Sequence, residues 1–425
     1  MVDTPLKVGF IGCGGISREL YVQMYAGLAD IAQVVAVADP VGELAEERRR
    51  MLTNAYLEEA SRQRVLADKG WSPQERKANR ETHLRKAEAA GTASGVSIRK
   101  YRTHEELLND DEVQVAVVQT PPPVRAEPVV AAAESGRHVF SEGPMAPSVE
   151  EADAIVAAVS KAGVKYVSQC FPRYTRAMAL ARSAVESGRL GEMGSARVEM
   201  NNYRPQSYFD PDSPSGHWQG SWEGEGGGAV FHQGRYVIDP FLWVVGSRVV
   251  EVFAYSGPVL RRVEHDSLSQ AVVRFANGAT GSIHASLITH RQPRGHRSRI
   301  EISGRDASLL VLPEENAPPD LTQASTSFAS ADNPAALEEL EALRAGVAQI
   351  PEQITQEYQT RLFLESIVDN SEPRVPIEVP RHHVELVRGI YKSAEERRPV
   401  TLPLDRDDPF YSRKGRLTHG VQRGE

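Results

Sequence analysis

Apolar and polar positions fall into two regimes along the chain. Up to about residue 170, short apolar runs alternate with stretches of helical period. "LKVGFI" (6–11) reads as a buried strand, "GCGGIS" (12–17) as a glycine turn, and "SRELYVQMYAGL" (17–28) as an amphipathic helix. "AQVVAVADP" (32–40) is a second apolar strand; it ends on Asp39, and Pro40 stops its ladder. The alternation resumes with a strand over 113–119, the helix "RAEPVVAAAESG", the strand "RHVFSE", and a helix opened by the capping-box pair Ser148 and Glu151. "KYVSQC" (165–170) closes this half. Strands separated by single helices predict a parallel doubly wound sheet.

Between residues 42 and 95 the pattern is charged and helical. Ser72 and Glu75 have capping-box spacing and Pro73 sits at a first helical position, so two helices joined at 70–72 are expected. The stretch is long for a crossover and reads as a solvated insertion laced with i,i+4 ion pairs, or as a lid or oligomer contact. After about residue 172, one helix ("RAMALARSAVESG") is followed by "GSARVEMNNY", "RVVEVFAYSG", "SQAVVRFANGATGSIHASL" and "RSRIEISGRDASLLVLP". These long strand-like segments, with a turn at Asn277 and Gly278, predict an open, mostly antiparallel sheet. Residues 313–335, rich in Pro, Ala, Ser and Asn, read as a mobile surface loop, and helices are expected near 351–370 and 381–396.

Composition narrows the function. The 49 basic and 57 acidic side chains give a formal charge of −8, which disfavours nucleic acid and anionic membranes as partners and favours a small polar ligand. "RKGR" (413–416) is read as part of a solvated tail. Two cysteines, Cys13 and Cys170, provide neither a disulfide framework nor a Cys-based metal cluster, and a cytoplasmic location is expected. The first strand leaves no room for a signal peptide, and no apolar run could span a bilayer. No metal is expected, because the adjacent His382 and His383 have no spaced partners.

The glycine turn carries the first chemistry. Gly12 would make the tight bend and Gly14 would let backbone approach a pyrophosphate, with Gly15 and Ile16 leading phosphate oxygens onto the helix N-terminus. Ser17 stands where this fingerprint usually has Gly or Ala. Asp39, ending the second strand, would accept bonds from ribose hydroxyls and repel a 2′-phosphate, so NAD is favoured over NADP. Tyr203, Arg204, Tyr208, His217, Trp218 and Trp222 offer aromatic faces and donors suited to a sugar or a planar aglycone, though core or interface packing explains a single Trp as well, and the Gly224–Gly228 run beside them reads as a close backbone approach to ligand or as a flexible stretch. Arg125, near the strand end at "QTPPP", either clamps a substrate carboxylate or phosphate or lies on the surface.

"VGFIGCGGIS", "VVAVADP", "VAVVQTPPPVRAE", "AAAESGRHVFSEGPMAPSVEEAD" and "GGGAVFHQGRYVIDPFLWVVG" together resemble the Gfo/Idh/MocA oxidoreductase family (glucose-fructose oxidoreductase, inositol dehydrogenase, rhizopine catabolism) over about residues 6–404. The resemblance implies an α/β fold: a Rossmann dinucleotide-binding domain (1–145, with the insertion at about 42–95), a substrate and oligomerisation domain (146–404) and a tail (405–425). It implies nicotinamide-dependent chemistry at a carbinol or keto carbon of a sugar, cyclitol or polyol, and a homo-oligomer, dimer or tetramer, formed through the open sheet. Thr120, Pro121, Glu142 and Gly143 fall on its cofactor side, and Arg173, Arg235 and Asp239 join the substrate side.

This chain departs from the family where proton transfer is usually assigned. Gly143 replaces the Lys of a Glu-Lys-Pro block, and His232 and Tyr236 stand where an Asp and a His are usual. His232 has the ordinary pKa of a base working near pH 7, and Tyr236 needs a cation beside it, which Arg235 supplies in sequence although helical neighbours do not face one another. His232 and Tyr236 are therefore the candidate catalytic pair. Two other readings stand beside net redox: a redox-neutral epimerase, lyase or glycosidase working through transient oxidation, and a non-catalytic cofactor-binding partner subunit.

Overall fold

The computed structural model describes residues 4–69, 73–210, 212, 218–290, 298–314, 321, 323–351 and 354–418; side chains are described from residue 79 within the helix that starts at Pro73. The Ser72–Glu75 capping box and His217 lie outside the described residues.

The first layer is built from β1 (Leu6–Ile11), α1 (Val22–Gly27, entered through a π-helical turn at Ser17–Tyr21), β2 (Ala32–Ala38), α2 (Gly42–Ala67), α3 (Pro73–Ser94) and β3 (Arg99–Tyr101). It continues through α4 (His104–Leu108), β4 (Val115–Val118), α5 (Ala126–Glu134), β5 (His138–Ser141), α6 (Val149–Ala162) and β6 (Tyr166–Ser168). All six strands are parallel, in the order β3-β2-β1-β4-β5-β6. Every residue of β2 and β4 is buried, the continuous apolar signature of strands covered by helices on both faces. The order reverses between β1 and β4, which opens the crevice where such sheets bind ligands.

The second layer begins with α7 (Arg176–Glu186), β7 (Met193–Asn201), α8 (Arg235–Val245), β8 (Val249–Gly257), β9 (Leu268–Phe275) and β10 (Thr280–Ser286). It ends with β11 (Arg299–Gly304), β12 (Ser308–Pro313), β13 (Ala324–Ala329), α9 (Pro334–Ala342), α10 (Gln356–Val368), α11 (Glu378–Glu396) and β14 (Val400–Thr401). Its sheet runs β13-β12-β11-β7-β10-β9-β8-β14, antiparallel except for β7 with β10. β9 alternates exposed and buried positions, so one face is core and the other open, where Val272 and Tyr255 stand in solvent. α8 and α11 cover the inner face.

Four expectations change. The domain boundary set at residue 145 moves, because β6, read as the last strand of the parallel half, is hydrogen-bonded to β5. α2 is no solvated insertion: Tyr56 is fully buried and its hydroxyl accepts from Val34 N–H at 3.0 Å, so α2 is the β2-to-β3 crossover, lengthened and folded back as a hairpin with α3. The loop expected over 313–335 contains edge strand β13, whose Phe328 is partly buried and packs against the core. The described part of the tail is docked, with Phe410, Tyr411 and Leu417 buried and Arg413 paired with Glu151. α10 returns to the first layer, where Phe363, Leu364 and Ile367 join its core and Phe363 packs on Phe140 at 5.6 Å.

Candidate active site

The glycine turn sits at the open end of β1. Gly12 has φ +95°, and a Cβ there would meet the Gln119 and Thr120 backbone at 3.2 Å, so only glycine fits. A Cβ on Gly14 would meet nothing within 4 Å, and Ile16 is exposed at the start of the helical turn. Asp39 ties the turn to β2: one carboxylate oxygen accepts from Cys13 N–H and the other from Val41 N–H, both at 2.8 Å. Each oxygen retains a further lone pair. Beside the turn, both amide atoms of Gln119 and the Ser17 hydroxyl are buried without a hydrogen-bond partner. The open space over Gly14, the acid at the end of β2 and these orphaned groups in the switch-point crevice fit a dinucleotide. Sequence reasoning missed Arg48, a buried residue of α2 whose guanidinium donates to the carbonyls of Cys13 (2.7 Å) and Gly14 (3.4 Å).

The opposite wall of the crevice carries Glu142 and Gly143. Glu142 accepts from the Tyr21 hydroxyl at 2.6 Å and lies 3.4 Å from Arg235. A Cβ on Gly143 would be 2.6 Å from the Gln169 carbonyl and 2.8 Å from Arg235 Nε, so the absent side chain is a requirement of space. Arg235 occupies that side. It donates to the Tyr236 hydroxyl at 2.5 Å with its guanidinium carbon 4.0 Å from that ring's centre. The two neighbours do meet, contrary to the helical expectation, because Arg235 is the first residue of α8 and its long side chain folds back over the turn before it, donating to the His232 carbonyl.

His232 is held in a short π-helical turn (Ala229–Gln233), its ring tilted 50° to that of Trp218 with centres 5.2 Å apart. Its Nδ1 meets Glu225 at 2.6 Å. The other oxygen of Glu225 meets His265 Nε2 at 2.9 Å and accepts from Gly220 N–H at 2.8 Å. Burial works against ionisation of Glu225, but the charge and hydrogen bonds of the two imidazoles outweigh it and hold the carboxyl well below the usual range. Burial pushes His232 below its ordinary value, opposed by Glu225 and reinforced by Arg235. His265 is fully buried, yet Glu225 raises it. Both ring nitrogens of His265 face acceptors, Glu225 at Nε2 and the Asp266 carbonyl at Nδ1, which favours the protonated ring there, while burial favours the neutral ring at His232. The carboxylate can only accept, so Nδ1 of His232 carries the proton and Nε2 remains a base.

Sequence reasoning also missed Glu225 and His265. The Gly224–Gly228 run that surrounds Glu225 is tightly packed, not loose: Cβ atoms on Gly224 and Gly228 would fall 2.1 Å from the Trp218 carbonyl and 1.9 Å from the Asp266 carbonyl. Four residues expected against substrate have other surroundings. Arg173 and Asp239 form a buried ion pair at 2.6 Å. Trp222 packs edge-on to His265 and Tyr391 behind Glu225. Arg125 is not a surface residue: buried, it donates to the carbonyls of Thr120 and Pro144 and so ties the "TPPP" turn to the segment after β5. Thr120 itself is partly exposed, Pro121 exposed. Tyr203 remains at the rim, its ring 4.3 Å from that of His290.

A parallel nucleotide-binding sheet joined to an open, mostly antiparallel sheet, with polar side chains gathered between them, defines a two-layer dinucleotide-binding α/β protein. Residues 77–169 match the model of an oxidoreductase family with an NAD-binding Rossmann fold, and residues 178–310 match that of the GFO/IDH/MocA C-terminal domain. The chain belongs to the Gfo/Idh/MocA family. It is 28% identical over 226 residues to levoglucosan dehydrogenase of Pseudarthrobacter phenanthrenivorans (48% of this chain, 56% of that protein). It is also 28% identical over 236 residues to 1,5-anhydro-D-fructose reductase of Ensifer adhaerens (54% and 66%). The chain thus spans less than two thirds of the length of the curated relatives it matches. Among solved structures, WlbA dehydrogenase of Bordetella pertussis, in complex with NADH and UDP-GlcNAcA, superimposes with a TM-score of 0.69 at 24% identity (94% of this chain, 99% of that one). Levoglucosan dehydrogenase with NADH and levoglucosan gives 0.66 at 21% (94% and 100%). These likenesses establish the fold. Among the described residues no helix is long and apolar enough to cross a membrane.

Proposed function

We propose that this chain is an NAD(H)-dependent oxidoreductase acting on a carbinol or keto carbon of a sugar-, cyclitol- or polyol-like substrate. The observation that carries the reading is the 2.6 Å hydrogen bond from His232 Nδ1 to the buried Glu225, which leaves Nε2 to act as a base one turn from Arg235 and its partner Glu142. The bound nicotinamide would accept the hydride. His232 takes the hydroxyl proton at Nε2, and Glu225 fixes the ring and stabilises the imidazolium that forms. Arg235 and Tyr236 hold the substrate oxygen, the positive charge coming from α8 in place of the side chain that residue 143 lacks. Asp39 favours NAD over NADP through its charge. A second copy of the chain covers the open sheet face.

The test is NAD(P)H formation or consumption over a panel of sugars, cyclitols, polyols and keto-sugars. His232→Ala is expected to lower kcat/KM by roughly 10²–10⁴-fold, the usual worth of general acid–base catalysis, with NAD affinity unchanged. A protein that binds NAD(H) and turns over nothing in the panel overturns the reading.

A further inference from the structure

Beside His232 the rim of the site carries a cationic cluster that no carboxylate among the described residues pairs within 4.0 Å. Arg204, three residues past β7, donates from Nη2 to the Gln233 side-chain oxygen at 3.1 Å, and its guanidinium carbon lies 5.1 Å from the centre of the Tyr208 ring. Its Nε is buried without a partner. Arg261, on the segment between β8 and β9, donates to the carbonyls of Arg204 (2.6 Å) and Leu260 (2.7 Å) and stacks 5.1 Å over the Tyr203 ring. His290 lies against the same ring. Arg262 follows, exposed.

Elsewhere the chain pairs its partly exposed arginines freely with acids, as in Arg99 with Asp110, Arg299 with Glu199 and Arg361 with Asp30. Among the described residues, none of the ion pairs within 4.0 Å includes Arg204, Arg261 or Arg262. The nearby acids are engaged: Asp210 by Gln206, Glu264 by Trp222 N–H, and Glu225 by its two imidazoles. In a chain of net charge −8 this local excess of cation is not a general bias. Arg261 is tied to the main chain of Arg204, so two arginines share one stretch of the rim, and planar guanidiniums steadied on aromatic rings present their edges to an anion. Gln233, the residue Arg204 holds, is the immediate neighbour of His232.

We propose that Arg204 and Arg261 bind an anionic group, a carboxylate or a phosphoryl oxygen cluster, carried by the substrate at a position away from the reacting carbon. The substrate class is then an acidic or phosphorylated sugar, not a neutral one. This rests on the reading above that the pocket beside His232 takes a sugar-like molecule.

The test compares glucose, glucuronate, glucose 6-phosphate and UDP-glucose as probes on the NAD-loaded protein, by calorimetric binding and by turnover. The anionic probes are expected to bind at least about tenfold more tightly than glucose, and added salt to weaken only them. Arg204→Gln and Arg261→Gln are each expected to lose about tenfold of that affinity, the scale of one hydrogen bond to a charged group, with glucose and NAD binding unchanged. A preference for glucuronate marks a carboxylate site; a preference for the other two marks a phosphoryl site. Equal binding of neutral and anionic probes, or equal losses for both in the variants, overturns the inference. Arginine-dependent anion binding without any turnover supports it and removes the proposed function. Turnover of neutral sugars alone does the reverse.

Discussion

At residue 143 the absence of a side chain is dictated by neighbours and not by backbone angle. Gly143→Ala places a carbon 2.6 Å from a main-chain oxygen and 2.8 Å from Arg235 Nε, and is expected to lower stability by about 1–3 kcal/mol in denaturant titration, the usual penalty of overpacking. Gly143→Lys suffers the same clash and is expected to lower native turnover; a gain would show that the cation on α8 is no substitute. Glu225 offers a second residue-scale prediction. Alcohol oxidation needs His232 neutral, and burial sets its pKa below the ordinary value, so kcat/KM stays level through neutrality and falls only in acid, below about pH 6.5. Glu225 raises that pKa, so Glu225→Gln is expected to shift the acid limb to lower pH while reducing kcat. An unmoved limb would mean that His232 is not the titrating base. His232 was legible as a base from its type and place. Glu225 was not, because an acid in a glycine-rich run carries no periodic signal, and its partner His265 lies 40 positions away.

Among elements, those with a strong local code were readable. The strands of the parallel sheet announce themselves as short apolar runs, and Ser148 does cap α6 by accepting from Glu151 N–H. What failed was the burial of charge-rich helices. α2 has a weakly amphipathic sequence, yet Ala45, Leu52, Ala55, Tyr56 and Ala60 are buried, because alanines give little hydrophobic contrast to the charged positions around them. Its Arg48 reaches the glycine turn, so the element read as an ornament braces the cofactor crevice. Arg48→Met, which keeps the bulk and removes the donors, is expected to raise the NAD dissociation constant about tenfold, measured by fluorescence titration, since loss of a charged donor from buried carbonyls is worth about 1.5–3 kcal/mol at its upper range. Unchanged affinity would leave Arg48 a packing residue only.

For the whole molecule, the division into a parallel layer and an open sheet was legible because strand patterning changes near residue 172, from buried runs to alternation. Long-range closure was not: nothing local in α10 says that it belongs with β5. The outer sheet face presents Phe253, Tyr255 and Val272 among charged side chains. As the proposed contact between copies, it should fail when Val272→Asp and Tyr255→Asp are combined, lowering the mass measured by light scattering without loss of secondary structure. A mass unchanged by both would place the contact elsewhere.

The return of α10 to the first layer also bears on synthesis. Phe140 on β5 has no finished environment until Phe363 has been made, and seven of the second sheet's eight strands lie between them in sequence. At ~5–20 residues per second, the interval from β6 to α10 is on the order of ten to forty seconds. During that time the nascent parallel layer waits with part of its core open, until a helix made about 190 residues after its last strand arrives to close it.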